Sequence, residues 1–297
     1  MKYILYTFLL AVSALALGSC SADDPDENKS IIATPAEEQN QFDRWLETNY
    51  VTPYNIDFKY RYKEVESDFD YYTVPARYED AIKMAHLVKY LCIETYNEVA
   101  GTDFTRRYFP KMFFLIGEWE YRNNGTFILG TAEGGRKILL SGLNSLEGII
   151  KQGPKAMNEY YFKTIHHEFT HIMNQHKIIP ADFQLVTGTG YVGDMWSESP
   201  YNQEFLTNGF ISDYSQHSYQ EDFAEMLSTY ITNDAETWNS LMEKAGQSAS
   251  LIEGKLDIVR RYMMENFNID IEKLRDAVQR RQADILEGKV DLTDISV

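Results

Sequence analysis

Four of the six histidines in this 297-residue chain lie within the thirteen residues TIHHEFTHIMNQH, from Thr164 to His176. The segment contains the string His167-Glu168-x-x-His171. Imidazoles at positions i and i+4 of a helix lie one turn apart on the same face, where both can bind one Zn²⁺ at about 2.0–2.1 Å. A glutamate next to the first ligand reaches a water molecule on the metal and can act as its general base. The spacing therefore predicts a zinc site at His167 and His171, with Glu168 as the catalytic base of a hydrolysis.

The helix that carries this string is predicted to span Met157 to His176 and to have two different faces. With roughly 100° between successive residues, its apolar side chains form one stripe that is suited to a protein core. The stripe contains Phe162, Ile165, Phe169, Ile172 and Met173. His167 and His171 point away from this stripe, so both imidazoles face something other than the core. His166 is one residue out of register and projects to the flank, whereas His176 is interpreted as a packing or capping residue.

A catalytic zinc ion needs a third protein ligand and an open position for water. Further cysteine ligands are excluded by count, because the chain has only Cys20 and Cys92. The zincin peptidases with a third histidine carry H-E-x-x-H-x-x-G-x-x-H, and the residues IMNQHKII after His171 do not have this glycine and this histidine at the required positions. The sequence therefore favours a zincin of the gluzincin type, in which a carboxylate from a later helix is the third ligand.

The candidate carboxylates lie in DYSQHSYQEDFAEMLSTYI, where a helix is predicted from Tyr219. Glu221 and Glu225 share one polar face of this helix, opposite its apolar residues. Glu221 is favoured as the ligand, with Glu225 one turn on as the group that orients the site. Glu225 and Asp222 are the alternative ligands. A competing use of Glu221 is a capping box with Ser218, in which the carboxylate turns back to the start of the helix.

The segment YSQHSYQEDFAE is similar to the third-ligand segment of the anthrax lethal factor-like branch of zincins. This resemblance implies that Glu221 is the zinc ligand and that Glu225 supports the site from behind. It also implies that Tyr214, seven residues before Glu221, stabilises the developing oxyanion. The sequence departs from this branch at Asp222, where an aromatic residue usually stands, so Asp222 stays a competing ligand.

The N-terminal residues MKYILYTFLLAVSALALGSC have the pattern of a bacterial lipoprotein signal peptide. Lys2 precedes an apolar run that is too short for a spanning helix, and small residues lead into Cys20. We expect residues 1–19 to be removed and Cys20 to carry the lipid that anchors the mature protein. Residues 20–35 are an acidic flexible tether. Acidic residues directly behind a lipidated Cys favour display on the outer surface of the outer membrane over an anchor that faces the periplasm.

Acidic residues outnumber basic residues in the chain as a whole. There are 45 of them against 28 basic residues, a net charge of -17, and removal of Lys2 with the signal peptide makes this -18. Such a surface repels nucleic acid and anionic lipid head groups, so no nucleic-acid partner is expected. If Cys20 carries lipid, Cys92 has no disulfide partner, and its place in an apolar-periodic helix indicates a buried thiol.

The remaining segments predict an α+β fold for a single domain at residues 36–297. Helices are predicted at 37–50 and 78–101, strands at 55–65 and 111–121, and a hairpin at 126–142 with Gly134-Gly135 in its turn. A loop is expected over 180–216, followed by helices almost to the end. The expected architecture is zincin-like, with a small mixed sheet packed on the active-site helix. The N-terminal α/β lobe then extends to about residue 176, and a mainly helical C-terminal lobe starts at about residue 218.

Two features outside the metal site are expected to contact a substrate. The strand Lys137–Leu140 could offer a free edge to an extended peptide. The segment 177–216, with Tyr191, Trp196 and Tyr201, is expected to shape the substrate pocket.

From the lipoprotein signal through HEFTH to EDFAE, nearly the whole mature chain resembles the substrate-import-associated zinc metallohydrolase lipoproteins. This resemblance implies a nutrient-uptake context with TonB-linked outer-membrane uptake proteins as partners. With one zinc ion per chain, we expect a membrane-anchored metallopeptidase that hydrolyses peptide or protein substrates. The alternatives are a surface binding module of an uptake system with a non-catalytic zinc site, and a zinc amidase with a non-peptide substrate. An intact Glu168 argues against the binding module, because a structural zinc site has no need of a general base.

Overall fold

The computed structural model describes residues 39–63, 73–121, 127–128, 130–133 and 137–297. The predicted signal peptide, Cys20 and the tether to residue 35 lie outside the described residues, as do Gly134 and Gly135 of the predicted hairpin turn. Asn40–Val297 form one compact unit. None of the described helices has both the length and the apolar character needed to cross a membrane.

Short strands form two small sheets in the N-terminal half of this unit. The strands are β1 (Asp57–Lys59), β2 (Met112–Leu115), β3 (Glu120–Tyr121), β4 (Phe127–Ile128), β5 (Gly130–Glu133) and β6 (Lys137–Leu140). The larger sheet has the order β1-β2-β6-β5, and β3 pairs with β4 in the other. In the larger sheet β1, β2 and β6 are parallel, whereas β5 pairs antiparallel with β6. The structure therefore has strands within both predicted strand segments, but they are shorter than predicted, and the segment 111–121 is divided into β2 and β3. The predicted hairpin is confirmed within the described residues by the antiparallel pair β5 and β6.

Strand β6 is an interior strand, so the prediction that it offers a free edge is wrong. Its backbone pairs with β2 on one side and with β5 on the other. The apolar run KILL suits this position, because Ile138, Leu139 and Leu140 are all buried, so both faces of the strand are covered. On this side of the described sheet the outer strand is β5. Any addition of an extended peptide to this side would therefore have to use β5.

Helices account for most of the rest of the described chain. They are α1 (Gln41–Leu46), α2 (Thr52–Tyr54), α3 (Tyr78–Val88), α4 (Glu94–Ala100), α5 (Thr102–Tyr108), α6 (Leu146–Gln152), α7 (Pro154–Met157), α8 (Lys163–His176), α9 (Ala181–Thr187), α10 (Tyr201–Glu204), α11 (Tyr219–Thr232), α12 (Ala235–Ala245), α13 (Ala249–Phe267) and α14 (Ile271–Leu286). The four last helices form the predicted helical C-terminal lobe. The α+β class, with a small mixed sheet followed by a mainly helical half, is confirmed.

Several of these helices continue into one another through a π-helical turn. Such turns lie at Glu47–Val51, Lys89–Ile93 and Asn158–Phe162. The last of these turns joins α7 to α8. A π turn contains more residues than an α turn, so a period of 3.6 residues is interrupted there. The predicted helix at 78–101 is confirmed and ends at Gly101, which has a φ of 87°. A positive φ favours glycine, because glycine has no Cβ to clash with the backbone.

The prediction of a loop over 180–216 is wrong in part. The segment contains α9 and α10 as well as 3₁₀-helices at Gly188–Gly190, Gly193–Ser197 and Tyr214–Gln216. The longest of these elements, α9, has only seven residues. Periodicity is recognised in windows of about 11–18 residues, so elements of this length leave no clear signal in the sequence.

Helix α8 buries its apolar side in the core of the unit, as predicted. All five residues of the predicted stripe are buried: Phe162, Ile165, Phe169, Ile172 and Met173. Phe169 packs edge-on against Tyr96 and Phe109, with ring centroids 4.8 Å and 5.0 Å apart. Helix α8 also packs against α11, and this contact brings the two conspicuous sequence segments together.

Cys92 lies in the π turn Lys89–Ile93 and is fully buried. It is a free thiol in the described part of the chain. Burial raises the pKa of this thiol well above its ordinary value, because the thiolate would be poorly solvated there. The prediction of a buried thiol is confirmed.

Candidate metal centre

Three side chains from α8 and α11 converge at one point on the surface of the unit. His167 and His171 lie one turn apart on α8, and Glu221 lies in the first turn of α11. The Nε2 atoms of the two histidines are 3.1 Å apart. Oε2 of Glu221 lies 3.0 Å from His167 Nε2 and 3.1 Å from His171 Nε2. The structure thus brings the two predicted imidazoles and the favoured carboxylate together.

The three donor atoms fit a zinc ion in chemistry and in spacing. One ligand atom from each residue lies within 4.8 Å of the others. A tetrahedral Zn²⁺ with bonds of about 2.0–2.1 Å separates its ligand atoms by roughly 3.3 Å, close to the distances found here. Two imidazoles and one carboxylate are also a known ligand set of catalytic zinc, which keeps its fourth position for water or substrate. His167, His171 and Glu221 would therefore hold the ion.

A cleft of about 660 Å³ opens beside these three residues. His171 and Glu221 line the cleft together with Glu168, the predicted catalytic base. The rim of the cleft includes Ile178, which is 91% exposed. A substrate in this cleft would contact the candidate ligands and Glu168 at the same time.

Glu225 lies behind His167 and is held by two other side chains. Its Oε1 is 2.8 Å from His167 Nδ1. Its Oε2 accepts hydrogen bonds from Lys163 Nζ and Ser212 Oγ, both at 2.6 Å. A carboxylate at the second ring nitrogen of a ligand histidine fixes the ring and leaves Nε2 for the metal. The structure therefore places Glu225 where the resemblance implies it, behind the candidate ligands.

The electrostatics of the site favour charged carboxylates. Burial opposes ionisation of Glu225, but the Lys163 ammonium and His167 outweigh it and hold the pKa of Glu225 well below its usual range. Burial of Glu221 is likewise outweighed by hydrogen bonds from His167 and His171, which lower its pKa. Burial lowers the pKa of His167, whereas Glu221 and Glu225 raise it more, to about 9. Two carboxylates thus make this position attractive to a cation.

The cap at the start of α11 uses the backbone N–H of Glu221 and not its carboxylate. Ser218 caps α11 with its own hydroxyl, which accepts a hydrogen bond from the backbone N–H of Glu221 at 3.3 Å. The Glu221 carboxylate is directed to the histidines. The two uses are compatible, because the cap takes the backbone of Glu221 and leaves its side chain for the site.

Asp222, the other alternative ligand, is directed away from the histidines into the core. Its Oδ2 lies 2.6 Å from Lys255 Nζ, and neither side chain is exposed. Tyr191 donates a hydrogen bond to the same oxygen at 2.9 Å. Burial raises the pKa of Asp222 to about 6, against the opposing effect of Lys255. The structure accounts for Asp222 as one half of a buried ion pair.

Tyr214 lies close to the candidate ligands but in a separate short element. It begins the 3₁₀-helix Tyr214–Gln216, and its ring centroid is 6.1 Å from that of His167. Trp196 packs edge-on against it, with 5.0 Å between ring centroids. Of the three aromatic residues expected to shape the pocket, Trp196 therefore contacts a candidate site residue. Tyr191 contributes to the core by its hydrogen bond to Asp222.

The other two histidines of the TIHHEFTHIMNQH segment lie outside the cluster. His166 is buried, and its Nδ1 lies 3.1 Å from the Tyr96 hydroxyl. Burial lowers the pKa of His166 to about 3, so this ring is neutral at pH 7. His176 is exposed and packs edge-on against Tyr108 at 5.1 Å, in agreement with a packing role.

Sequence reasoning missed Lys163 and Ser212, which hold Glu225. Lys163 precedes His167 by four residues, so the spacing that relates His167 to His171 also places Lys163 on their face. This signal was available in the sequence. Ser212 comes from an irregular segment with no periodicity, and its approach to Glu225 depends on the tertiary fold.

Comparisons with known proteins agree with this geometry. A family model described as "Putative zinc-binding metallo-peptidase" matches residues 35–272, which include every residue of the cluster. The chain is also 38% identical to a protein of known structure, described as a putative zinc-binding metallo-peptidase from Bacteroides caccae. That similarity covers 90% of this chain and 100% of the other, with a TM-score of 0.75. No curated protein matches the chain.

Proposed function

Because the chain belongs to this zinc-binding metallo-peptidase family, we propose that it hydrolyses peptide bonds with one zinc ion held by His167, His171 and Glu221. The observation that carries the proposal is the position of Glu221. Its carboxylate lies within hydrogen-bond distance of both imidazoles, and Glu168 lines the same cleft. This combination supports a gluzincin-type centre with a general base beside it.

A zinc ion in this position would supply a Lewis acid and bring the pKa of a water molecule to around 7. Glu168 takes a proton from the attacking water and then gives it to the leaving amine. Tyr214 donates a hydrogen bond to the oxyanion that develops on the substrate carbonyl. Glu225, itself held by Lys163 and Ser212, keeps the ring of His167 in its orientation.

We further propose that the mature protein is a lipoprotein of the outer membrane, displayed on the cell surface and active in nutrient uptake. The support is the sequence around Cys20, the acidic tether behind it and the resemblance to lipoproteins of TonB-linked uptake systems. Peptide cleavage at the cell surface would produce fragments small enough for such a system to import.

A digest of a mixed peptide library tests the enzymatic part. Zinc-loaded protein should cleave peptides, and a chelator should abolish the cleavage. Glu168→Gln should keep its zinc and lose roughly 10²–10⁴ of the rate, because the proton acceptor is gone while the ligands stay. Glu159→Gln is the matched control, since Glu159 is an exposed carboxylate in the π turn that leads into α8 and does not line the cleft.

The result that would overturn the peptidase is a zinc-loaded protein that cleaves no member of the library. If the same protein hydrolyses a non-peptide amide such as a cell-wall fragment, the zinc amidase is correct. If it hydrolyses neither and still binds peptides, the protein is a binding module.

A further inference from the structure

A second cavity, of about 500 Å³, is lined by Lys163 and Ser212, the two side chains that hold Glu225. Three lysines line it, each from a different helix: Lys155 from α7, Lys163 from α8 and Lys244 from the last turn of α12. One carboxylate, Glu236, also lines the cavity. The chain has a net charge of -17, but this cavity is lined by more lysines than carboxylates.

Two of these lysines have no carboxylate of their own. Lys163 forms an ion pair with Glu225 at 2.6 Å. Lys155 and Lys244 form no ion pair within the described part of the chain, and both are exposed. Lysines elsewhere are commonly paired, as Lys89 is with Glu94. The cavity therefore has two ammonium groups that are available to an anion.

Hydrogen-bond donors line the same walls. Thr229 is only 6% exposed, and among the described residues its Oγ1 has no hydrogen-bond partner. A buried hydroxyl without a partner costs free energy unless a ligand or a water molecule meets it. Ile211 and Leu241 add an apolar part to the lining, which suits the carbon atoms of a small organic ligand.

The cavity is connected to the metal centre through two of its own residues. Lys163 and Ser212 both line it, and both donate to Oε2 of Glu225. The other oxygen of Glu225 lies 2.8 Å from Nδ1 of His167. An anion that accepts hydrogen bonds from Lys163 or Ser212 would compete with Glu225 for these donors.

We propose that this cavity is a binding site for a small oxyanion, in the form of a carboxylate or a phosphate group. Lys155 and Lys244 attract the anion, and the buried Thr229 hydroxyl meets one of its oxygens. Lys163 and Ser212 are shared between the bound anion and Glu225. Binding of the anion can be measured without peptide hydrolysis, so its test needs no activity.

The experiment measures binding of butyrate and of inorganic phosphate to metal-free protein, by calorimetry and by the shift in Tm, at constant ionic strength. Bound anion should raise Tm with increasing concentration, since a ligand of the folded state stabilises it. The double variant Lys155→Gln/Lys244→Gln should bind roughly tenfold more weakly, because two exposed charge contacts are lost. Lys177→Gln/Lys273→Gln is the matched control, with the same loss of charge from two exposed and unpaired lysines of the described chain.

Tighter binding of butyrate would identify the ligand as a carboxylate, and tighter binding of phosphate would identify it as a phosphate. The proposal is overturned if neither anion binds, or if both double variants bind as the unchanged chain does.

Glu225→Gln tests whether Lys163 and Ser212 are shared between the anion and Glu225. It should bind the anion several-fold more tightly, because Lys163 loses its competing carboxylate. Unchanged affinity in this variant would overturn the connection between the cavity and Glu225.

Discussion

Glu221 is the residue on which the proposed metal centre depends most. Its backbone N–H is taken by the Ser218 cap, and its carboxylate lies against two imidazoles. If the carboxylate binds zinc, Glu221→Gln should weaken the affinity, because a neutral amide replaces a charged ligand. The variant should also have a lower Tm in the presence of zinc, and a chelator should barely lower it further. Zinc content and thermal unfolding, with and without chelator, measure both effects.

Glu225→Gln is the comparison for this prediction. A residue that only orients a ligand typically changes metal affinity about 10–100-fold, so this variant should be intermediate. Full zinc occupancy in Glu221→Gln would contradict the assignment of Glu221 and favour Glu225 as the ligand.

His166 provides the test of the helix register. It is next to His167, but its ring is buried beside Tyr96 and away from the cluster. His166→Ala should therefore keep its zinc while His167→Ala and His171→Ala lose theirs. The free energy of unfolding of His166→Ala should be lower by about 2 kcal/mol, because a buried ring is replaced by a cavity. Metal analysis of the three purified variants decides this, and an empty site in His166→Ala would mean that the ligand face is wrong.

At the scale of single residues, the sequence predicts the part of the site that depends on local geometry. The convergence of His167 and His171 follows from helix spacing alone, and so does the common face of Glu221 and Glu225. The partners of Asp222 could not be predicted, because Lys255 lies 33 positions later in the chain and meets it through packing of two helices. Local patterns contain no information on such pairs.

At the scale of helices, a buried ion pair connects α11 to α13. Lys255 Nζ lies 2.6 Å from Asp222 Oδ2 and donates to the Gly209 carbonyl at 3.0 Å. It also lies 3.9 Å from the centroid of the Phe210 ring. Burial lowers the pKa of Lys255, although Asp222 opposes this. The pair holds the first turn of α11, in which Glu221 directly precedes Asp222.

Replacement of one partner of the Asp222–Lys255 ion pair should lower the free energy of unfolding. Lys255→Met leaves a buried carboxylate without its cation, and such changes cost about 3–5 kcal/mol. Denaturant unfolding of the metal-free protein measures the loss. The double variant Asp222→Asn/Lys255→Met removes both charges and keeps an acceptor for Tyr191, so it should regain most of this stability. A single variant that loses less than about 1 kcal/mol would show that the pair behaves like an exposed salt bridge.

Long helices can be predicted because their apolar residues recur often enough to define one face, and burial of that same face stabilises the helix. Helix α8 is an example. The helical segment from α3 to α4 ends at Gly101, which marks its boundary. The interior position of β6 was not predictable, because pairing with β2 depends on residues some 25 positions earlier. The π turn at Asn158–Phe162 also leaves no mark in composition, since the same residue types form α turns elsewhere and only the hydrogen bonding and the number of residues per turn differ.

For the whole molecule, the proposed lipid at Cys20 decides where the enzyme works. Cys20→Ser should release the protein from membranes, because no acyl chain can then be attached. Cys92→Ala should leave it anchored, since that thiol is buried in the folded unit. Partitioning between detergent and aqueous phases separates the two outcomes. A Cys20→Ser protein that stays in the detergent phase would contradict the lipoprotein assignment.

The burial of Cys92 also has a practical use in spectroscopy. A chain with Cys20→Ser retains a single thiol, and that thiol is enclosed and held in its unreactive protonated form. A cysteine introduced at Ile178, on the rim of the cleft, would then be the position that a maleimide dye labels. The emission of such a dye would report entry of a peptide into the cleft in real time, even for a variant that cannot turn it over.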